Sequence, residues 1–156
     1  MKRFWVRRLP ILCVAEMFLC VSRGAAAGPY QFYSLTPCRI VDTRNPNGPT
    51  GGPALTSGAT RSFPITGYCG VPSTAKAAVL NVTFVGPTTD GFLVIWPYNT
   101  AAPGVSTINA AAGEPAIANG AIVPLTADPS FNLSVTFGTA APGTAHVILD
   151  IAGYFQ

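Results

Sequence analysis

Beyond Gly28 the chain is cut every few residues by Gly, Pro, Asn and Asp, and the runs between these breaks are short and rich in β-branched and aromatic residues. No long segment repeats its apolar residues at helical spacing. This punctuation leaves strands as the only regular structure the chain can build. The expected strands are Arg39–Asp42, Thr60–Ile65, Ala77–Val85, Phe92–Trp96, Ser106–Ala110, Ala121–Leu125, Leu133–Phe137 and Ala145–Ile151. Their spacing, with turns such as Asp90-Gly91 and Pro103-Gly104, predicts an all-β fold: an antiparallel, jelly-roll-like β-sandwich of about eight strands.

Two of these strands are apolar on both alternating faces. In Ala77–Val85 only Asn81 and Thr83 interrupt the pattern, and in Ala145–Ile151 the charged exception is Asp150. Such strands are expected to be central and covered on both sides. Leu80, Val82 and Phe84 should share one face, with Val147, Leu149 and Ile151 beside them.

The first residues read differently. Lys2, Arg3, Arg7 and Arg8 precede an apolar run from Leu9 to Val21, and Ala25-Ala26-Ala27 follows. This is the layout of a secretory signal peptide. The run is shorter than the roughly 20 residues a membrane-spanning helix needs, and it carries Glu16. Residues 1–27 are therefore expected to be a signal helix removed on export, with no membrane span afterwards, and residues 28–156 a single extracellular or cell-surface domain. That domain keeps Arg39, Arg44, Arg61 and Lys76 against Asp42, Asp90, Glu114, Asp128 and Asp150, a formal charge of −1. It lacks the basic footprint that nucleic acid requires, so no nucleic-acid partner is expected. It also keeps two cysteines, Cys38 and Cys69, an even pair that outside the cytoplasm favours a structural disulfide.

Candidate chemistry is sparse. Asp42 and Arg44 lie at i and i+2, and on an extended strand they would project from one face. Asp150 lies inside an apolar strand and needs a cation, for which Arg44 or Arg39 is available. Asp42, Arg44 and Asp150 are read as a structural ion pair joining the first and last strands. Asp42 and Asp150 as the acid and base of a glycoside hydrolase is a distant alternative. The single histidine, His146, sits on an apolar strand, and no serine has a nucleophile-elbow setting. Asn45 and Asn47 lie in a Gly/Pro-rich segment, residues 45–53, that reads as a surface loop, and they are further candidate binding residues. Without clustered carboxylates or histidines, neither a metal site nor any cofactor is expected. Aromatic side chains are the best carriers of binding: Trp96, Tyr98 and Tyr33, which stack on sugar rings or fill partner pockets where they are exposed, the alternative being that they cap the ends of the core.

Four stretches carry a resemblance: Leu35-Thr36-Pro37-Cys38-Arg39-Ile40-Val41-Asp42-Thr43-Arg44, Cys69-Gly70-Val71-Pro72, Ala78-Val79-Leu80-Asn81-Val82-Thr83 and Val147-Ile148-Leu149-Asp150-Ile151-Ala152-Gly153-Tyr154-Phe155. Together they resemble a poorly characterised all-β domain of secreted bacterial proteins with D-T-R, N-V-T and D-x-x-G-Y motifs, found alone and as a module of exported proteins. The resemblance spans nearly all of residues 28–156. It implies an exported module, it carries no catalytic residues, and it groups Asp42, Arg44, Asn81 and Asp150 in one framework. The expected role is a non-catalytic extracellular binding module for an envelope glycan or a surface protein. The rival role is a structural subunit that self-associates by strand exchange through the aromatic leader Gly28–Leu35.

Overall fold

The computed structural model describes residues 28–156; the expected signal helix lies outside the described residues. The strands are β1 (Phe32–Asp42), β2 (Leu55–Thr56), β3 (Thr60–Phe63), β4 (Ala77–Val85), β5 (Gly91–Pro97), β6 (Ile108–Ala110), β7 (Ile117–Pro124), β8 (Leu133–Gly138) and β9 (Thr144–Phe155). All pairings between them are antiparallel. One sheet runs β1-β9-β4-β7, with β2 also paired to β9, and the other runs β3-β8-β5-β6.

The inner faces follow the period-2 pattern. Leu80, Val82 and Phe84 of β4 and Val147, Leu149 and Ile151 of β9 are fully or almost fully buried, and they share one core with Phe63, Leu93, Leu133, Val135 and Phe137 of the other sheet. Phe84 and Phe137 meet edge to face across the two layers, with centroids 5.6 Å apart. β4 and β9 are central, as their apolar sequences require, but the expected cover on both faces is only partial: on the outer face of β9 Ile148 is buried beside the buried Asp42, while the outer face of β4 stays open. On the outer face of β4, Asn81 is exposed and Val79 and Thr83 are half-buried.

β1 is longer than the Arg39–Asp42 segment expected, because Phe32–Ser34 pairs with Gly153–Phe155 and the strand continues past Pro37 through a register shift between Ser34 and Cys38. The irregular stretch accommodates a residue that cannot donate to the ladder. The Tyr-, Pro- and Thr-bearing sequence before Cys38 therefore hides a strand. β9 likewise runs on to Phe155, and β7 begins earlier than Ala121.

The 45–53 segment is a loop, as expected, but a tied one. Gly52 N–H donates to Asn45 O at 3.0 Å, and Gly48 N–H donates to Gly52 O at 3.2 Å. From β3 the Arg61 guanidinium donates to the carbonyls of Gly51 (3.0 Å), Gly52 (3.1 Å) and Pro53, while lying over the Phe63 ring. Its fork satisfies backbone acceptors that a strand would have paired.

Cys38 and Cys69 are disulfide-bonded, with Cα atoms 6.0 Å apart and a sequence separation of 31. The bond fixes the 64–76 connection against β1. Closing a loop of this length restricts the unfolded chain by about 3 to 4 kcal/mol in the entropy model. Thermal unfolding followed by circular dichroism is expected to shift down by roughly 10 to 20 °C in reductant or in Cys69→Ser. A superimposable melt would mean that packing alone holds this connection.

Candidate functional site

The residues that lead by sequence scatter. Trp96 is only 7% exposed, because the chain after β5 folds back and the indole Nε1 donates to Thr100 O at 3.1 Å. Its ring is part of the packing, which corrects the expectation that it offers a stacking face. Tyr98 leans on Phe131 with centroids 5.3 Å apart. Tyr33 is exposed and stacks on Tyr154 at 5.2 Å near the start of β1. Asn45 and Asn47 lie just beyond the opposite end of that strand. These five residues do not form one site.

The motif residues, in contrast, do converge. In one row across the outer face of the first sheet, Arg39 of β1 pairs with Asp150 of β9, and Asp150 with Asn81 of β4. Arg39 Nε donates to Asp150 Oδ1 at 2.8 Å, its Nη2 donates to Oδ2 at 3.1 Å, and its Nη1 reaches Asp42 Oδ2 at 3.4 Å. Arg44 closes the series with Nε to Asp42 Oδ1 at 2.9 Å and Nη2 to Oδ2 at 2.7 Å.

Two details correct the sequence reading. β1 ends at Asp42, so Arg44 comes back through a turn in which its own N–H donates to Asp42 Oδ1 at 3.1 Å, and not by projecting from a strand. The buried carboxylate is Asp42, with its side chain 7% exposed, whereas Asp150 is a quarter exposed and takes Arg39 as its partner. Thr43, also buried, completes this clip: its Oγ1 accepts from Val147 N–H at 2.9 Å and ties the end of β1 to β9.

The Arg44 guanidinium, with help from its backbone N–H and from Arg39, holds the Asp42 carboxyl down at about 2. A depressed folded-state pKa stabilises the fold above the unfolded value and loses that contribution as pH falls through the folded one.

A second surface was not flagged by the sequence. On the outer face of the other sheet, Phe92 of β5 pairs with Gly138 of β8 on one side and Asn109 of β6 on the other. A side chain at 138 would collide with the Phe92 ring, so the glycine is the seat on which the ring rests. Phe92 stays 37% exposed. Two open clefts meet at Phe92 and Asn109. One, of about 540 Å³, continues to Asp90, Ala111 and Thr139; the other, of about 420 Å³, runs under Val105 and Ser106. A third depression, of about 610 Å³, adjoins the first at Thr139 and Ala140 and continues to Ser57 and Gly143. The result is an elongated groove with an aromatic ring in its course.

Hydroxyl and carboxylate bonds fix the walls. Thr89 and Thr139 share a bond of 3.0 Å, Ser57 Oγ donates to Gly143 O at 3.0 Å, and Asp90 Oδ1 accepts from Ala112 N–H at 2.7 Å. The Asn109 amide donates to Ser106 Oγ at 3.1 Å, which uses one of its N–H groups. Asp90 is the sole charged residue lining the three depressions. A signal was available: Phe92 and Trp96 are four residues apart on one strand, so both belong to the same face. Among the described residues no cluster of metal-binding side chains occurs.

Comparison with family models, with curated proteins and with solved structures found no match.

Asp42→Asn is expected to lower stability at neutral pH by about 1 kcal/mol, a value reduced for the solvent around two half-exposed guanidinium groups. It is also expected to flatten the loss of stability between about pH 4 and pH 2, the window between the usual carboxylate value and the depressed one. Urea unfolding at several pH values reads both effects. An unchanged acid slope in the variant would show that other carboxylates carry it.

Proposed function

We propose that this chain is a non-catalytic extracellular binding module, built on a jelly-roll-like sandwich, that holds a neutral glycan of the cell envelope in the groove centred on Phe92. The observation that carries this reading is an exposed aromatic ring between two clefts lined by an amide, hydroxyls and small apolar side chains. Sugar rings present C–H faces that stack on aromatic rings and edges of hydroxyls that take amide and hydroxyl partners. With Asp90 as its only charge, the groove offers nothing to a polyanion. Walls cross-linked by hydrogen bonds lower the ordering cost of binding. The disulfide is compatible with life outside the cell.

The alternatives are less supported. Strand exchange through the leader would have to break pairing that Phe32–Ser34 makes with its own β9, together with the two bonds between Gln31 and Gln156. A glycoside hydrolase built on Asp42 and Asp150 would need one carboxyl held protonated, yet Asp42 is pushed the other way and Arg39 bonds both carboxylates.

On an array of neutral and acidic envelope polysaccharides, the protein is expected to retain neutral glycans. Phe92→Ala should weaken that binding roughly tenfold, equivalent to about 1.4 kcal/mol, with the melting temperature little changed. An array without a neutral-glycan signal, or a Phe92→Ala variant that binds as well as the parent, would overturn the reading.

A further inference from the structure

β4 and β9 have sequences suited to cover on both faces; the fold covers the inner face throughout but the outer face only around Ile148, and leaves it open from the Asp150–Asn81 row to Gly153 and Val79. The uncovered face combines exposed apolar side chains with a charged row. Ile122 is 63% exposed beside Val79, and Phe32, 51% exposed, lays its ring over Gly153. Next along the strands comes the row Arg39–Asp150–Asn81–Gly120, running from β1 across β9 and β4 to β7. Large apolar residues exposed on a sheet and bordered by polar groups mark an interaction surface.

We propose that the outer face of the β1-β9-β4-β7 sheet is a homodimer interface, and that its occupant is a second copy of this chain. This face is complementary to itself. An isologous contact whose two-fold axis lies along the strands, between β9 and β4, sets β1 against the partner copy's β7 and β9 against its β4. In the charged row, the Asp150 carboxylate then faces the Asn81 amide of the other copy, and the reverse contact forms by symmetry. Arg39, the bulky member of the row, faces Gly120, where no atom lies within 4 Å of the place a side chain would occupy. In the apolar row, Phe32 over Gly153 faces Ile122 and Val79. The protruding β1 edge thus meets the flat β7 edge twice. Asn81 gains a carboxylate acceptor in place of its 3.5 Å contact to Thr83, the one side-chain bond it makes among the described residues. Asp150 keeps Arg39 and gains a donor, so no charge is stranded.

The test uses two substitutions at exposed positions of β7. Gly120→Arg fills the open space opposite Arg39 and sets two like charges face to face. Ile122→Asp removes the exposed apolar contact. In sedimentation equilibrium over a wide concentration range, the purified protein is expected to dimerise, and each variant should weaken the dimer roughly hundredfold while its circular dichroism and melting temperature match the parent's. A parent protein that stays monomeric at the highest concentration overturns the proposal, and this outcome assigns the face to some other partner or to none. So does a dimer that survives both substitutions.

Discussion

Everything in this fold hangs on β9. It is the longest strand, its inward residues Val147, Leu149 and Ile151 are buried in the core, and it pairs with β1, β4 and β2. Few strands carry so many partners, and the sequence distances involved are long: Arg39 meets Asp150 across 111 positions. Such closure is entropically expensive, and it is stabilised where it happens. The apolar inner face supplies the driving force. The Asp42-Thr43-Arg44 clip then ends β1 at a defined place on β9, because Thr43 takes a β9 N–H and Asp42 takes the two guanidinium groups. The disulfide secures the same strand from the other side, through the 64–76 connection.

A device recurs on both outer faces: an aromatic ring seated on a glycine. Phe92 sits over Gly138 on one sheet and Phe32 over Gly153 on the other. A glycine in a strand leaves a gap in the row of side chains, and a neighbouring ring that fills it is held flat and partly exposed. Rings placed in this way have already lost their freedom before any partner arrives, which favours their use in binding. The same economy explains why Trp96, the largest aromatic of β5, is not available: the loop that follows the strand folds over it, and its Nε1–H donates to the Thr100 carbonyl.

The alternation of β4 and β9, the turn residues and the even cysteine pair made the all-β class, the two central strands and the disulfide legible from sequence, since each depends on local spacing and residue type. What the sequence hid depends on contacts far apart in the chain. The start of β1 carries Pro37 and polar residues, and only its pairing with Gly153–Phe155 makes it a strand. The 45–53 segment has the composition of a loose loop, and only Arg61 from β3 ties it down. Phe92 and Trp96 look equivalent as letters, and their exposure is decided by where one loop folds. The ion pairs were anticipated by residue type, but which carboxylate is buried followed from the Asx turn at Asp42, a detail that i and i+2 spacing alone does not contain.

The two proposed surfaces lie on opposite layers of the sandwich, and this placement has a functional consequence. A dimer joined through the β1-β9-β4-β7 faces would direct both Phe92 grooves outward, on the far sides of the assembly. Each groove is shallow and nearly uncharged, so a single site would hold a sugar chain weakly. Envelope glycans are repetitive polymers, and two grooves on one rigid body turn the second contact into an intramolecular event, which multiplies affinity without any new interaction. In this arrangement, the open part of the outer face of β4 and β9 is what allows a small domain with one modest site to grip an extended surface.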